Sequence, residues 1–392
     1  MAGEAQNSVA VSTFARAAQL LDGAALLVDD EQCVNLRGRT EACRRCVETC
    51  CAGALTIGLD EVALDDSCCT ACGACVPACP AGVFELSGFD PARLLEGVAG
   101  TQELHVHCRE SNSRGGGVVI PCLCLLDQRL VAALRADGVR ELHLHGLECC
   151  GECTRGDANA TLAQCQEALS YWLGEQAPVI VRDTDAAPHG DGRDRQDQRE
   201  ISRRGFLRTA GRSMVADAVS WWLPIADSDD SLPPPGLPFY QSGQFGQRVP
   251  AFHLEFTARV QNMPWRTDVK LPFRLRVVTE ACSGCLSCAE RCPTGALSCG
   301  QSSQQRTLFF DVSRCTDCAL CEAICPQDAV RTSSVRSIQT ITGGRNRLMH
   351  QALGACTRCA RACLPAEMDD GWCPACRNEQ QLDDEWLAML NG

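Results

Sequence analysis

Aromatic residues are scarce in this sequence, and long apolar runs are missing from it. Phe, Trp and Tyr together make up 5% of the 392 residues. This length allows two or three domains, but so few aromatics leave each of them a small apolar core. No segment reaches the roughly 18 consecutive apolar residues that a membrane-spanning helix requires. We therefore expect no direct insertion into a membrane.

The sequence also lacks an excess of positive charge and the motifs of several enzyme classes. Its formal net charge is -13, which disfavours binding to nucleic acid or anionic membranes and favours basic protein partners. No dinucleotide fingerprint, flavin-type glycine motif or serine nucleophile elbow is present. We therefore expect no catalytic site of its own.

Cysteine, in contrast, is very abundant. The chain contains 31 cysteines, far more than a soluble protein carries unless sulfur serves as a ligand. A disulfide framework is the alternative, but it is typical of small secreted domains. Residues 1–7 carry no basic segment, and no early apolar run is followed by a cleavage site. We expect a cytoplasmic protein whose cysteines bind metal.

Three segments repeat the spacing Cys-x2-Cys-x2-Cys-x3-Cys-Pro. They contain Cys69, Cys72, Cys75 and Cys79; Cys282, Cys285, Cys288 and Cys292; and Cys315, Cys318, Cys321 and Cys325. This spacing brings three thiolates to one tight loop and takes the fourth from elsewhere, as an iron–sulfur cubane requires. The pattern therefore predicts [4Fe-4S] clusters, which exchange single electrons.

The last two copies form an internal repeat. Their tails, residues 293–297 and 326–330, match one another, and the segment resembles the bacterial-type dicluster ferredoxin family over about eighty residues. In that family the fourth cysteine of each run ligates the other cluster. The resemblance implies one cluster on Cys282, Cys285, Cys288 and Cys325, and another on Cys315, Cys318, Cys321 and Cys292.

The N-terminal copy departs from this pattern. Its first run starts at Cys43, and no cysteine lies three residues before it. Cys33, ten residues upstream, is the natural replacement, and residues 34–42 then form an insertion. A three-iron cluster, or a ligand borrowed from Cys51, is the alternative. The resemblance implies clusters on Cys33, Cys43, Cys46 and Cys79, and on Cys69, Cys72, Cys75 and Cys50.

Between the two cysteine-rich modules, residues 100–183 alternate strands with helices. Such alternation is typical of an α/β layer with a largely parallel sheet. The pattern predicts strands at residues 103–107, 118–121, 141–145 and 178–182, and helices near residues 125–136 and 159–173.

Six cysteines lie near the ends of these strands: Cys108, Cys122, Cys124, Cys149, Cys150 and Cys153. Pro121-Cys122 and the Cys-Gly-Glu-Cys turn that ends at Cys153 resemble the small iron–sulfur subunit of hydrogenases and heterodisulfide reductases. The resemblance implies a [2Fe-2S] cluster on Cys108, Cys122, Cys149 or Cys150, and Cys153. The alternative is an α/β docking domain without a cluster.

Four of the seven histidines lie in the same segment, as the pairs His105 and His107, and His143 and His145. Their spacing puts each pair on one face of its strand. A polar outer face of the sheet is the simpler interpretation. Ligation of Rieske type, by thiolates together with imidazoles, is the alternative.

Two Cys-x2-Cys knuckles occur within residues 350–380. Thirteen residues separate them, a spacing that suits a tetrahedral four-thiolate zinc site in a short ribbon. Cys363 supports an alternative, because residues 356–363 also resemble a broken ferredoxin loop, which would bind iron. The predicted zinc ligands are Cys356, Cys359, Cys373 and Cys376.

The remaining segments are expected to connect these modules. Residues 1–32 are predicted as a lead helix, whose helical pattern covers residues 14–28. Residues 184–250 are predicted as a linker, poor in apolar residues at its start. Within it, residues 202–208 resemble the twin-arginine export motif, and their position in mid-chain favours a docking helix over an export signal.

Together these patterns predict an α+β protein. Two ferredoxin-like dicluster modules, residues 33–90 and 251–340, flank a central α/β domain, and a zinc-ribbon-like knuckle follows. The expected function is the relay of single electrons through about four [4Fe-4S] clusters between a redox enzyme and an acceptor.

The architecture also resembles accessory ferredoxin-like proteins of molybdenum or tungsten oxidoreductases, which implies a redox partner of that kind. One alternative is an assembly factor for an iron–sulfur or molybdenum enzyme. Another is a thiol redox enzyme that acts on sulfur substrates through Cys149, Cys150 and Cys153.

Overall fold

The computed structural model describes residues 25–111, 116–183, 246–301, 304–365 and 368–391. All of them belong to the unit that comprises Met1–Ala186 and Pro238–Gly392. Helices and strands are both present, in agreement with the α+β class expected from the sequence. No helix in the described ranges is long and apolar enough to cross a membrane. The twin-arginine-like segment lies outside the described residues, as does the linker up to residue 245.

The N-terminal module contains two pairs of short strands. Strand β1 (Leu26–Val28) is antiparallel to β4 (Phe84–Leu86), and β2 (Leu55–Ile57) is antiparallel to β3 (Val62–Leu64). Helices α1 (Val34–Gly38), α2 (Arg45–Thr49) and α3 (Cys75–Ala78) lie between them. Ile57 and Phe84 from these strands line one wall of a cysteine-lined cavity.

The predicted lead helix is wrong at its C-terminal end. Residues 1–24 lie outside the described ranges, but residues 26–28, where the helical pattern ends, form strand β1, and a short 3-10 helix, Asp30–Gln32, follows. A short apolar run is compatible with either conformation, so periodicity does not decide between them. Pairing with β4, more than fifty residues away, decides for the strand because β1 satisfies the hydrogen bonds of that edge.

The central domain contains a four-stranded parallel sheet, as the alternation of strands and helices predicted. Its strands are β5 (Glu103–Cys108), β6 (Val118–Ile120), β7 (Glu141–His145) and β8 (Val179–Asp183), in the order β6-β5-β7-β8. The helices are α4 (Pro91–Val98), α5 (Gln128–Ala136) and α6 (Asn159–Leu173). Helix α5 begins a few residues later than predicted, because Asp127 Oδ1 accepts a hydrogen bond from Leu130 N at 3.0 Å and caps it.

The two faces of this sheet differ in polarity. Leu104, Val106, Leu142 and Leu144 are buried in the same apolar core as Leu130 of α5. Because side chains alternate along a strand, the glutamate and histidines of β5 share the opposite face, and so do those of β7. This opposite face is polar, as the histidine spacing predicted.

The C-terminal module contains two antiparallel sheets. Strand β9 (Arg274–Val278) pairs with β12 (Val330–Ser334), and β10 (Leu297–Gln301), β11 (Gln305–Asp311) and β13 (Arg345–Ala352) form the second sheet. Its helices are α7 (Ala251–Ala258), α8 (Ser287–Glu290), α9 (Leu320–Ala323) and α10 (Ile338–Thr342). Helices α8 and α9 follow equivalent cysteine loops, so the internal repeat of the sequence is also a repeat of structure.

Aromatic side chains gather where the central domain contacts the C-terminal module. The ring of Trp172, on α6, lies 6.2 Å from that of Phe256 on α7 and 6.3 Å from that of Trp265. Phe256 stacks on Phe273 at 5.5 Å between ring centres. The few large side chains of the chain therefore stabilise a contact between domains.

The terminal segment has a small core of its own. Strands β14 (Gly354–Ala355) and β15 (Ala362–Cys363) pair, and helix α11 (Pro374–Asn391) follows. The buried residues that pack together there are Cys356, Cys363, Cys373 and Cys376, with Met368 and Trp372 partly buried against them. This core is mainly sulfur, so its stability must depend strongly on what the thiols bind.

Candidate metal centres

The eight motif cysteines of the C-terminal module line two separate cavities. Site III is lined by Cys292, Cys315, Cys318 and Cys321, and site IV by Cys282, Cys285, Cys288 and Cys325. Each cavity contains the first three cysteines of one run and the fourth cysteine of the other. The structure thus groups these cysteines in the crossed sets that the sequence suggested.

The N-terminal module repeats this arrangement. Site I is lined by Cys33, Cys43, Cys46 and Cys79. Site II consists of Cys50, Cys69, Cys72 and Cys75, where burial raises the pKa of Cys69 and Cys75, and the neighbouring thiolates of Cys72 and Cys50 raise both further. Sites I, III and IV are each lined by four cysteines and by mainly apolar side chains. This common lining suits one kind of occupant.

Cys33 reaches site I although ten residues separate it from Cys43. Helix α1 starts directly after Cys33, and the side chain of Asn35 in this helix binds both backbone groups of Cys43. Asn35 Nδ2 donates to Cys43 O at 2.8 Å, and Cys43 N donates to Asn35 Oδ1 at 2.9 Å. These two hydrogen bonds close the insertion and bring the two cysteines together.

Cys51, the alternative ligand of site I, lies elsewhere. It is exposed, and its thiol donates to Arg155 O of the central domain at 3.0 Å. It does not line the cavity of site I, whereas Cys33 is buried there. The geometry therefore favours Cys33 over Cys51 as the fourth thiol of this site.

The three regular cysteine loops share an uncommon backbone conformation. The residues on both sides of the second cysteine have positive φ: Ala71 (52°) and Gly73 (79°), Gly284 (69°) and Leu286 (62°), and Asp317 (55°) and Ala319 (60°). For residues other than glycine this conformation costs roughly 1–2 kcal/mol. Such repeated strain indicates a loop shaped to surround a group, since it persists only where other interactions compensate.

Ionisation of the buried thiols is unfavourable when no positive charge lies near them. Burial raises the pKa of Cys46, Cys288 and Cys315 to about 12. Four thiolates in one apolar cavity would repel each other as well. The donor set therefore fits an iron–sulfur core, whose metal ions stabilise the thiolate form.

Site III differs from sites I and IV by a buried positive charge. Arg276, on β9, is 1% exposed and lines this cavity. Its guanidinium donates to Asp317 Oδ1 at 2.7 Å. Burial raises the pKa of Cys321 to about 11, and Arg276 opposes this rise. No charged side chain lines the cavities of sites I and IV in the part of the chain that the structure describes.

The cysteines of the central domain follow the carboxyl ends of neighbouring parallel strands. Cys108 ends β5, Cys122 follows β6, and a 3-10 turn, Leu147–Glu152, follows β7 and leads to Cys153. Burial raises the pKa of Cys108, and the nearby Cys122 and Cys150 raise it further. A hydrogen bond from Cys124 lowers the pKa of Cys122 to about 6. These thiols form one cluster, the central site.

Cys150 and Cys149 occupy different environments. Cys150 is buried, and the charges of Cys122 and Cys153 add to the rise of its pKa. Cys149 is more exposed, and its thiol lies 3.9 Å from Glu148 Oε1. The structure therefore places Cys150 with the central site and Cys149 at its margin.

The four knuckle cysteines converge closely at a terminal site. The sulfur atoms of Cys356, Cys359, Cys373 and Cys376 all lie within 4.8 Å of one another. The Cys356–Cys376 and Cys359–Cys373 distances are 3.9 and 3.8 Å. A tetrahedral zinc site with Zn–S bonds of about 2.3 Å has S–S edges of about 3.8 Å. The spacing fits one metal ion and not a cubane, in which each thiolate binds a different iron.

Cys363 does not belong to this group of four. It is buried in the same small core, but its thiol lies 3.7 Å from Arg361 O. The broken ferredoxin loop would need Cys363 as a ligand. The geometry therefore favours the zinc interpretation over the iron alternative.

The histidines form a stack on the polar face of the central sheet. His105 stacks on His143 at 4.6 Å and His107 on His145 at 4.2 Å between ring centres. Among the described residues, the group of potential ligands on this face combines His105 and His143 with Glu103, and it contains no cysteine. The Rieske-type alternative finds no support in this arrangement.

The loops and cavities of the C-terminal module define a class of protein: one that binds iron–sulfur clusters in a ferredoxin-like module. A comparison with protein families agrees. Residues 281–329 match the family model described as a 4Fe-4S dicluster domain. This segment contains all eight cysteines of sites III and IV, so the predicted iron–sulfur module is confirmed there.

Two functional features escaped sequence reasoning. Asn35 lies in the inserted loop, where no motif marks it, and its role depends on a contact with Cys43. Arg276 reaches site III from a strand that precedes the first cysteine run. Neither residue belongs to a motif or to a predicted helix or strand, so no local signal marks it.

Proposed function

We propose that this protein relays single electrons through four [4Fe-4S] clusters, one in each of sites I to IV, between a cytoplasmic redox enzyme and an acceptor. A [2Fe-2S] cluster at the central site and a zinc ion at the terminal site complete the set. The observation that carries the proposal is an unbroken series of contacts between the cysteine sites. Bound clusters would supply the one-electron chemistry. The chain would supply the thiolate ligands, exclude water from the clusters and fix their positions relative to one another.

Within each module the two sites are neighbours through equivalent cysteines. Burial raises the pKa of Cys75 in site II, and among the thiolates that add to it is Cys46 of site I. In the C-terminal module, burial and then the charge of Cys321 in site III raise the pKa of Cys288 in site IV. The third cysteine of each run thus faces the third cysteine of its partner run.

The two modules meet between sites I and III. A Cβ on Gly38, at the end of α1, would lie 2.6 Å from Leu320 Cδ1 of α9, so the two segments approach closely here. Arg291 Nη1, next to Cys292, donates to Arg37 O at 2.6 Å. These contacts join helix α1, which follows Cys33, to helix α9, which contains Cys321, and to Arg291 beside Cys292.

The central site adjoins site II. Cys124 is close enough to Cys72 for the charge of Cys72 to contribute to the raised pKa of Cys124. Arg155, which follows Cys153, donates to Thr70 O at 2.6 Å, inside the cysteine loop of site II. The contacts support the order central site, II, I, III, IV, in which an electron crosses the chain without leaving it.

The test is the metal content of anaerobically purified protein, together with electron paramagnetic resonance of the reduced state. We expect about sixteen irons and one zinc per chain, or about eighteen irons if the central site holds a two-iron cluster. Dithionite should reduce the clusters reversibly. A colourless, folded chain from iron-replete cells, or one with about eight irons, would contradict the four-cluster relay.

The structure gives little support to the thiol-enzyme alternative. Partial desolvation and the adjacent Glu148 carboxylate raise the pKa of Cys149, whereas a reactive cysteine needs a lowered one. An assembly factor is a further alternative, to be distinguished by its behaviour with a partner. Tight binding to an apo-enzyme without electron exchange would favour assembly over relay.

A further inference from the structure

We propose that Glu103, His105 and His143 form a zinc site with three protein ligands on the polar face of the central sheet, beside the carboxylate of Glu141. This site is separate from every cysteine site, and its ligands are oxygen and nitrogen. It does not depend on the relay function. Its effect would be to clamp β5 to β7 at the end of the sheet remote from Cys108.

The register of the sheet brings the four side chains together. Strands β5 and β7 are parallel neighbours, with Glu103 opposite Glu141 and His105 opposite His143. Residues two apart on a strand share a face. The two strands therefore present a rectangle of two carboxylates and two imidazoles on one side of the sheet.

The distances between ligand atoms fit a tetrahedral ion. His105 Nε2 and His143 Nε2 lie 3.2 and 3.4 Å from Glu103 Oε1, and the ligand atoms of these three residues all lie within 4.8 Å of one another. Glu141 Oε2 lies 3.6 Å from His143 Nε2 but does not join that group. Zinc bonds of about 2.0–2.1 Å to nitrogen and oxygen produce tetrahedral edges of about 3.3–3.4 Å. Imidazole and carboxylate together suit zinc better than they suit the hard ions magnesium or calcium.

The electrostatics of the rectangle also favour a cation. Like charges directly opposite each other on neighbouring strands are destabilising, and Glu103 and Glu141 are such a pair. Their side chains are 59% and 54% exposed, whereas that of His143 is only 15% exposed. An ion from solvent can therefore reach carboxylates that lie over partly buried imidazoles.

A further histidine orients the proposed ligand His105. His105 Nδ1 lies 3.0 Å from His145 Nε2, and in the tautomer whose Nε2 binds an ion, Nδ1 carries the hydrogen and donates to His145. His145 stacks on His107, whose Nε2 lies 3.1 Å from Gly116 O. A hydrogen-bond partner behind a ligating imidazole is typical of zinc sites.

The experiment adds zinc chloride to the cluster-loaded full-length protein, whose terminal site already contains zinc. We expect a second equivalent to bind, and X-ray absorption at the zinc edge to show a nitrogen and oxygen shell besides the sulfur shell. His143→Ala and Glu103→Gln should each weaken this second binding at least tenfold. Their iron content and their sulfur-bound zinc should not change, which shows that the fold and the other sites persist.

The control is His350→Gln, since His350 lies on β13, where its Nδ1 is 3.2 Å from Thr307 Oγ1. This variant should bind the second zinc like the native chain. The proposal is overturned if no second zinc binds, if it binds only through sulfur, or if Glu103→Gln and His143→Ala bind it as tightly as the control. In those cases Glu103, Glu141, His105 and His143 form only contacts between carboxylates and imidazoles and bind no metal.

Discussion

Arg276 is the side chain with the clearest expected effect on a cluster potential. Its buried guanidinium lies against Cys315 and Cys321 of site III, and a fixed positive charge stabilises a cluster that has gained an electron. Arg276→Gln should therefore lower the potential of the cluster in site III. A fall of roughly 60 mV corresponds to about a tenfold change in a one-electron equilibrium. A redox titration followed by electron paramagnetic resonance measures it.

Arg274 provides the matched control for this prediction. It lies on the same strand, and its Nε is 3.5 Å from Asp317 Oδ2, but its side chain is 42% exposed, compared with 1% for Arg276. Solvent screens such a charge, so Arg274→Gln should shift the potential much less. Equal shifts in both variants would mean that Asp317, and not the buried charge, sets the potential.

Cys33 is the cysteine whose assignment is easiest to test. It lines site I, whereas Cys51 is bound to Arg155 O outside it. Cys33→Ser should leave three thiols in site I. The iron content should then fall from about sixteen to about twelve if the cluster is lost, or to about fifteen if a three-iron cluster forms, which gives a paramagnetic signal in the oxidised protein. Cys51→Ser should change neither. The reverse result would assign the ligand to Cys51.

More of the ligand cysteines than of the residues around them could be predicted from the sequence. The resemblance to dicluster ferredoxins implied the crossed sets of sites III and IV, whereas spacing indicated the loop of three cysteines in each, because that loop is local and its period is fixed. It also indicated Cys33, although it could not show how Asn35 closes the loop to Cys43. Arg276 and Glu103 were missed because their partners lie on other strands or other segments.

The secondary-structure elements of the central domain were predicted best. Strand β7 and helix α6 have the expected bounds, because each contains several apolar residues that repeat at the spacing typical of a strand or of a helix. Strand β1 was predicted as part of a helix, because three apolar residues carry too little periodicity and the partner strand β4 is distant in sequence. The gathering of Trp172 and Phe256 between domains had no local signal either.

The terminal ribbon is the element that should depend most on its metal. Its buried cluster consists of four cysteines, with little apolar surface to replace a lost ion. Cys373→Ser should remove the zinc, and limited proteolysis should then cut helix α11 and its preceding loop at least tenfold faster. The iron content should not change, because sites I to IV lie in a different core.

Cys363→Ser is the control within the same core. Cys363 is buried beside the site but stands outside the group of four converging sulfur atoms. The variant should retain one zinc per chain and its resistance to protease. Loss of metal from this variant, or iron at the terminal site of the native chain, would favour the broken ferredoxin loop.

At the scale of the whole molecule, the proposed series of sites rests on contacts between domains beside the cysteines. Gly38 packs against Leu320 between sites I and III, and Arg155 bonds to Thr70 between the central site and site II. These contacts join segments that are hundreds of residues apart or lie in different domains. Sequence patterns predict the sites one by one, but the order of the series depends on such tertiary contacts.

This order predicts which clusters interact magnetically when all are reduced. Cys318→Ala should remove the cluster of site III, and Cys285→Ala that of site IV, each with a loss of about four irons. Unpaired spins on neighbouring clusters broaden each other's signals. Because the proposed order puts the cluster of site III between those of sites I and IV, its loss should narrow the paramagnetic resonance signals of both, whereas loss of the site IV cluster should narrow only the signal of site III. The order is contradicted if Cys318→Ala and Cys285→Ala change the resonance signals of sites I and II equally. Site IV would then lie as close to the N-terminal module as site III does.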